Sequence, residues 1–210
     1  MNKIAERSLD TRSRLLQAAG EVFASHGFRA ATVREISRRA DANIAAVNYH
    51  FGNKKRLYSA VLHHTLRSAI EKYPPDFGLD ENSTPEQRLH AFIRSLLFRL
   101  LDKGRPAWHG RLMAREIAEP TSALDQLVVE VMRPLYERLT SIVRDLTGKH
   151  ADEESVKLCV MSVMGQCLFY HHARSVVLRL YPQEFGPAEI ERLADHICRF
   201  SVQATRGFQE

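Results

Sequence analysis

The sequence predicts an all-α protein with about nine helices. Apolar residues recur at intervals of three and four along almost the whole chain, as in the stripe formed by Leu57, Val61, Leu62, Leu66 and Ile70. Glycine and proline interrupt these stripes where helices should end, and Ser, Thr, Asp or Asn stand where helices should begin. The alternating pattern of a half-buried strand occurs nowhere in the sequence. With 210 residues, the chain is long enough for one large core or two small ones.

The first predicted helix begins at Asp10, whose carboxylate can accept hydrogen bonds from the free backbone donors of a helix start. Leu15, Ala19 and Val22 lie on one side of this helix. Gly27 is expected to end it in the left-handed conformation that glycine adopts at low cost. Residues 1–9 lack the apolar core of a targeting signal and are expected to form a frayed tail.

Residues 32–51 predict two short helices joined by a tight turn. Thr32 and Glu35 have the spacing of a capping box, in which each residue satisfies a backbone donor at the helix start. A break follows at residues 41–42, and Asn43 is a good N-cap for the next helix. In that helix the side chains expected to point inward are Ile44, Val47 and Phe51, and those expected to face outward are Ala45, Ala46, Asn48 and Tyr49.

Two short helices with this spacing form a helix-turn-helix, whose second helix can enter the major groove of DNA. The amide of Asn48 offers a donor and an acceptor to a base edge, and the hydroxyl of Tyr49 can reach a phosphate. Positive side chains that could neutralise phosphates flank this helix on both sides: Arg34, Arg38, Arg39, Lys54, Lys55 and Arg56. The same pattern also fits a small helical hairpin that binds no nucleic acid.

The charge of the chain is distributed unevenly. Residues 1–60 contain 11 Lys and Arg against 5 Asp and Glu, whereas the other 150 residues contain 19 against 20. This asymmetry predicts that only the N-terminal part meets a polyanion, although a basic face exposed to solvent would give the same counts.

Six further helices are predicted after the first three. Helix 4 begins at residues 52–53 and ends near Tyr73, because Pro74 and Pro75 cannot continue it. A linker rich in turn-forming residues follows over 74–83. The other five helices are expected from Thr84, from Pro106 to Ala118, from Ser122 to Thr147 with a kink at Pro134, from Asp152 to Leu180, and from Gly186 onward.

No pattern in the sequence predicts catalysis, and neither a metal nor a cofactor is expected. His171 and His172 are adjacent, so on a helix they point about 100° apart and cannot both bind one metal ion. The motifs HExxH, GxSxG and paired CxxC do not occur. The three cysteines lie in apolar helical patterns and are expected to be reduced core residues of a cytoplasmic protein. The most apolar run, residues 158–170, is shorter than the about 20 residues of a membrane span.

Residues 10–60 resemble the DNA-binding domain of the TetR/AcrR family of bacterial transcriptional regulators. The resemblance rests on Gly27-Phe28, the segment ATVREI at 31–36, Ala40, the pair Tyr49-x-Phe51, and Gly52 with Lys54. Two positions depart from the family pattern, because Asp41 replaces the usual glycine of the turn and Asn48 stands where tyrosine is common. By this resemblance the expected DNA contacts are Thr32, Arg34, Asn43, Ala45, Ala46, Asn48, Tyr49, His50 and Lys54.

The resemblance also implies a three-helix DNA-binding domain over residues 1–53 and a helical effector-binding and dimerisation domain over 54–210. Residues 112–135 and 165–170 are similar to the CecR-type branch of the family. The expected lining of an effector pocket is Phe98, Trp108, Met113, Arg115, Met161, Met164, Gln166, Tyr170 and His171. The expected dimer interface contains Phe169, Val176, Leu193, Ile197 and Phe200. Each of these side chains could instead fill an ordinary monomer core.

The leading hypothesis is therefore a homodimeric regulator that binds double-stranded operator DNA and is released from it by a small-molecule effector. One alternative is a small-molecule-binding or enzymatic helical protein that carries an incidental basic hairpin. Another is an architectural DNA-binding protein without an effector.

Overall fold

The computed structural model describes residues 3–102, 104, 106–149, 151–182 and 185–208, with side chains described from Asp10 onward. Within these ranges every regular element is helical, which confirms the all-α prediction. The described part contains eleven α-helices and one π-helical turn rather than about nine helices. They are α1 Lys3–Ala30, α2 Val33–Arg39, α3 Ile44–Phe51, α4 Lys54–Lys72, α5 Pro85–Leu101, α6 Ala107–Ala118, α7 Ser122–Leu127, the π-helical turn Val128–Met132, α8 Arg133–Thr147, α9 Glu153–His172, α10 Arg174–Leu180 and α11 Pro187–Arg206.

The first helix starts earlier than predicted, at Lys3 instead of Asp10. Asp10 does not act as a cap, since its carboxylate lies 3.1 Å from Arg14 Nε, one turn further along the helix. Gly27 has a φ of 76°, which confirms the predicted left-handed residue at the end of the long helical run. One further turn follows, closed by the bond from Ala31 N to Gly27 O at 3.2 Å.

The predicted helix from Ser122 to Thr147 is divided into α7, the π-helical turn and α8. The turn ends two residues before Pro134, which lacks an N–H and whose ring would clash with the carbonyl of residue 130 in a regular helix. A wider turn relieves this clash, so the predicted kink takes the form of a π-bulge. Thr121, not Ser122, is the N-cap, because its hydroxyl accepts a hydrogen bond from Ala123 N at 3.1 Å.

The predicted helix from Asp152 to Leu180 is interrupted at Ala173. Its N–H ends α9 by bonding to Phe169 O at 2.8 Å, and its carbonyl begins α10 by accepting from Val177 N at 2.9 Å. Neither proline nor glycine marks this break, which explains why the helical pattern did not reveal it.

The helices pack into two compact units. One contains α1, α2, α3, α4 up to Ser68, α6, α7 and the π-helical turn, and the other contains the end of α4 from Ala69, α5 and α8–α11. The two packing units therefore do not coincide with the predicted domains 1–53 and 54–210, because α6 packs on α1. The division into two functional domains at that position stays a prediction.

In the second unit α5, α8, α9 and α11 surround one apolar core. Helix α5 begins at Thr84 as predicted, and its start carries a capping box, in which Thr84 Oγ1 accepts from Gln87 N and Gln87 Oε1 accepts from Thr84 N. At the other end of α5, Asp102 accepts hydrogen bonds from Lys72 Nζ at 2.7 Å and from Tyr73 Oη at 2.8 Å. No described helix has both the length and the apolar character needed to cross a membrane.

Candidate nucleic-acid interface

The turn between α2 and α3 depends on a left-handed residue that is not glycine. Asp41 has a φ of 47°, a conformation that aspartate tolerates better than most residues. Its carbonyl accepts a hydrogen bond from Arg14 Nη1 of α1 at 3.3 Å, and Ala42 N donates to Ser37 O at 3.0 Å. These bonds fix the turn, so the replacement of the usual glycine does not disrupt the helix-turn-helix.

Thr32 caps α2 as predicted, because its hydroxyl accepts a hydrogen bond from Glu35 N at 3.2 Å. The second hydrogen bond of the predicted capping box, from Thr32 N–H to the Glu35 side chain, is replaced by an ion pair. The carboxylate of Glu35 lies 2.9 Å from Arg39 Nη2, one turn along the same helix. Arg39 is thus partly neutralised within its own helix, and all three arginines of α2, Arg34, Arg38 and Arg39, are exposed.

In α3 the predicted cap and two of the three predicted core residues are confirmed. Asn43 Oδ1 accepts from Ala45 N at 2.9 Å, and both Val47 and Phe51 are buried. The prediction for Ile44 is wrong, because 48% of this residue is exposed. It occupies the first position of the helix, where the packing of α1 and α2 leaves about half of the side chain open.

The outward face of α3 matches the prediction. Tyr49 is 81% exposed, and Ala45 and Asn48 are exposed as well. Ala46 and His50 are half-buried, and the ring of His50 lies 4.9 Å from that of Tyr49. The structure therefore places the α3 residues predicted to bind DNA on one short helix, with Thr32 and Arg34 exposed on the neighbouring α2. Their contacts with DNA stay predictions.

Lys54 has a structural role that sequence reasoning missed. Its ammonium group donates to Ala31 O at 2.9 Å and to Arg29 O at 3.3 Å, and it lies 4.8 Å from the centre of the Phe28 ring. Lys54 thus holds the carbonyls at the end of α1. A basic residue just after a helix C-terminus in sequence gives no signal of this contact, because the partner carbonyls are more than 20 residues away.

The first turn of α4 concentrates positive charge. Lys54 is half-buried while Lys55 and Arg56 are exposed, and this turn has no acidic residue. Cations at the positive end of a helix dipole are electrostatically unfavourable unless an anion approaches them. A DNA phosphate would supply that anion.

A buried hydrogen-bond network joins α4 to α6 behind this surface. Tyr58 Oη donates to Glu116 Oε2 at 2.7 Å, and Glu116 Oε1 accepts from both the N–H and the hydroxyl of Thr121 at 2.9 Å. Burial, and to a lesser extent the hydrogen bond to Glu116, raises the pKa of Tyr58 well above its usual value, so the phenol stays protonated. The Tyr58 ring also packs against Phe23 and Phe28 of α1, at 4.8 and 5.0 Å between ring centres. The network and these ring contacts fix α4, α6 and α7 to α1, on which α2 and α3 also pack.

The residues predicted to line an effector pocket do not share one packing unit. Trp108, Met113 and Arg115 lie on α6 in the unit that carries the helix-turn-helix. Trp108 is buried against Gly20 of α1, and the guanidinium of Arg115 covers Gly27. Trp108 and Arg115 therefore pack against α1. Neither packing unit contains all nine of the predicted pocket residues, so the packing within one unit does not bring them together.

The other six predicted pocket residues belong to the second unit. Phe98 stacks on Tyr73 with 5.1 Å between ring centres, Gln166 Nε2 donates to Ser201 Oγ at 3.3 Å, and His171 Nδ1 lies 3.1 Å from Leu100 O. Met164 and Tyr170 pack against the core of this unit, while Met161 is exposed and does not. A ligand-binding role for these residues stays a prediction.

The predicted dimer-interface residues separate into two groups. Phe169, Val176 and Phe200 are more than half exposed. Leu193 and Ile197 lie in the core of their own unit, which fits the alternative of an ordinary core position, and their part in an interface stays a prediction. The helical period of α11 placed Leu193 and Ile197 on an apolar face, but it could not tell which neighbour covers that face.

Comparison with known proteins identifies the chain. Residues 15–61 match the family described as "Bacterial regulatory proteins, tetR family", and residues 85–205 match the "HTH-type transcriptional dual regulator CecR, C-terminal domain". The chain belongs to the TetR family. Its C-terminal part belongs to the CecR type, as the sequence indicated. The protein is therefore a DNA-binding transcriptional regulator with a helix-turn-helix.

Two relatives of known name cover most of the chain. The HTH-type transcriptional dual regulator CecR of Shigella flexneri is 29% identical over 175 residues, which cover 80% of this chain and 78% of the relative. The HTH-type transcriptional repressor NicS of Pseudomonas putida is 26% identical over 212 residues, covering 98% and 95%.

Solved structures of low sequence identity share the fold. A TetR-family transcriptional regulator from Mesorhizobium loti has a TM-score of 0.65 at 20% identity and covers 94% of this chain and 98% of its own. FadR from Bacillus subtilis, in complex with stearoyl-CoA, has a TM-score of 0.65 at 16% identity and covers 90% and 97%.

Proposed function

We propose that this TetR-family regulator is a repressor that binds a near-palindromic operator as a homodimer and leaves it when a small-molecule effector binds. The observation that carries the proposal is the outward face of α3, where Asn48 and Tyr49 are exposed on a rigid helix flanked by basic side chains. A relative along nearly the whole chain is named a repressor, which supports the sign of regulation.

In this proposal α3 lies in the major groove and α2 crosses the DNA backbone. The amide of Asn48 is suited to an adenine, whose N6 and N7 offer one donor and one acceptor. Tyr49 contacts the backbone through its hydroxyl, and Lys55 and Arg56 neutralise phosphates beside α4. Asn43 and Thr32 serve chiefly as caps, because their side chains are already bonded to backbone N–H groups.

An exposed apolar face on the second unit supports the binding of a second copy of the chain. Leu158, Met161 and Phe169 recur along one side of α9, and Phe200 of α11 is also exposed. Large apolar side chains in such a row are typical of a protein–protein contact. A symmetric dimer would present two copies of α3 to half-sites about 34–36 Å apart, or multiples of that distance.

The effector would bind in the second unit and act through the helices that continue into the first. Helix α4 runs without interruption from Lys54 to Lys72 and contributes to both units. A ligand that favours a conformer with the wrong spacing of the two α3 helices would weaken operator binding. Such coupling between two sites is typically about 1–3 kcal/mol, or about 5- to 150-fold in affinity.

The test begins with selection of bound DNA from a random pool by the purified protein, which yields the half-site and its spacing together. The enriched operator is then titrated with wild type, Asn48→Ala and Tyr49→Phe, with fluorescence anisotropy as the readout. We expect Asn48→Ala to lose about 5- to 150-fold in affinity, because a bidentate amide–base contact discriminates by about 1–3 kcal/mol. Tyr49→Phe should lose less, since only one hydroxyl contact is removed.

Tyr181→Phe is the matched control, because Tyr181 is also exposed but belongs to the second unit. Its operator affinity should equal that of the wild type. Unchanged affinity in both α3 variants, with the thermal melting temperatures of all four proteins equal, would contradict the assignment of α3 as the recognition helix. Absence of salt-dependent binding to any duplex would contradict the proposed function itself.

A further inference from the structure

Ile44 is an exposed aliphatic side chain at the start of the recognition helix. Within the helix-turn-helix segment from Thr32 to Phe51, only Ile44 and Tyr49 are large hydrophobic side chains that the structure leaves exposed. Tyr49 carries a hydroxyl that can meet water or a phosphate, but Ile44 carries no polar group. Leaving such a side chain in water forgoes the free energy that its burial would release. Its position therefore fits a surface that becomes covered when a ligand binds.

The backbone around Ile44 is held in place before any ligand arrives. Asn43 caps the helix through its bond to Ala45 N, and Ala46 N donates to Asn43 O at 2.9 Å. The β-branched side chain of isoleucine has few rotamers on a helix, so its methyl groups have a defined direction. Little conformational entropy would be lost when an apolar partner contacts them.

Ile44 also has a specific neighbour on the helix surface. Asn48 follows four residues later, so the two side chains lie next to each other on the same side of α3. Both are exposed, and Ala45 adds a small apolar side chain beside them. The exposed face thus combines an amide able to bind one base edge with an adjacent aliphatic group.

The major groove contains one apolar group that such a side chain can read. Thymine carries a C5 methyl there, whereas cytosine, adenine and guanine present only polar atoms and ring carbons. We propose that Ile44 recognises a thymine methyl in each half-site, beside the base contacted by Asn48. This inference rests on the proposed function, because it requires α3 to lie in the major groove.

The expected change in affinity follows from the apolar area that is removed from water when one thymine methyl is buried against Ile44. Burial of one such group changes an affinity by about fourfold, and two symmetric half-sites change it by about 15-fold. Polar contacts to phosphates are unaffected by removal of the methyl, so the dependence of affinity on salt should stay constant.

The experiment removes the methyl from the DNA and its partner from the protein. In the operator enriched from a random pool, each thymine of the half-site is replaced in turn by deoxyuridine, symmetrically in both half-sites. Wild type should bind one of these operators about 15-fold more weakly. Ile44→Ala should bind it and the unmodified operator equally well, and Ile44→Val should show an intermediate loss.

A second experiment removes the thymine and then restores its methyl group on a different base, cytosine. Cytosine at the sensitive position should weaken wild-type binding, and 5-methylcytosine should restore part of the loss for wild type but not for Ile44→Ala. Phe77→Ala, which removes an exposed aromatic side chain in the linker before α5, is the control and should behave as wild type with every operator.

An enriched half-site without thymine, or equal deoxyuridine effects in wild type and Ile44→Ala, would overturn the inference and leave the proposed function standing. Enrichment of no sequence at all would overturn both. Melting temperatures of wild type and the three variants check that each variant is folded, and the exposed positions of Ile44 and Phe77 predict that they differ little.

Discussion

At the scale of single residues, polar side chains near helix ends hold neighbouring helices together. Lys54 binds two carbonyls at the end of α1, and Glu116 binds the cap of α7. Sequence reasoning assigned Lys54 to DNA alone, because an isolated charge gives no indication of a partner far away in the chain. Substitution of either residue would disturb the fold, so Asn48 and Tyr49 are better probes of DNA binding.

Asp102 is a residue whose contribution depends on pH. Burial alone would raise its pKa, but hydrogen bonds from Lys72, Gly104 N and Tyr73 together lower it to about 2. A carboxyl whose pKa is lower in the folded than in the unfolded state stabilises the fold above its unfolded pKa of about 4. That stabilisation is lost as the pH falls from about 4 to about 2.

Asp102→Asn should therefore lower the free energy of unfolding by about 1 kcal/mol at pH 6, as expected for a charge-assisted contact near the surface. The difference between the variant and wild type should shrink below pH 4 and vanish near pH 2. Urea titrations at several pH values between 2 and 6 measure it. A difference that stays constant over this range would show that the charge of Asp102 does not stabilise the second unit.

At the scale of helices, prediction succeeded where the sequence contains a chemical signal for a boundary. The helix start at Thr84, the left-handed conformation of Gly27 and the cap at Asn43 all agree with the predictions. The break at Ala173 was missed, because it depends on packing instead of on a proline or glycine. The exposure of Ile44 was missed for a related reason: a helical period shows which side chains share a face but not how far a neighbouring helix covers it.

The start of α7 offers a test of which of two adjacent residues acts as its cap. Thr121 Oγ1 accepts from Ala123 N and donates to Glu116, whereas the exposed Ser122 stands inside the first turn. Thr121→Ala should lower the free energy of unfolding by about 1–2 kcal/mol, since it removes the cap and one bond to a buried carboxylate. Ser122→Ala should change it by less than about 0.5 kcal/mol. Thermal unfolding of the two variants compares them directly, and equal losses would refute the assignment of Thr121 as the cap.

At the scale of the whole molecule, the excess positive charge and the exposed apolar side chains of the last three helices are found in different parts of the chain. The excess of Lys and Arg is confined to residues 1–60, and a group of exposed apolar side chains lies on α9, α10 and α11. This separation suits a protein that meets a polyanion with one part and a second copy of itself with another. A single copy of α3 contacts few base pairs, so operator affinity should depend strongly on the joining of two copies.

The double variant Phe169→Glu with Phe200→Glu tests this dependence, because it places charges on the exposed face of α9 and α11 without touching α3. Sedimentation should show a single chain for the variant and two chains for wild type. Linking two binding sites raises affinity by about 10²- to 10⁴-fold, so the variant should lose that much on the full operator and nothing on an isolated half-site. Phe77→Glu adds a charge at an exposed aromatic position outside these helices and should remain a dimer with full affinity. A double variant that is monomeric but binds the full operator as tightly as wild type would mean that each chain acts alone on DNA.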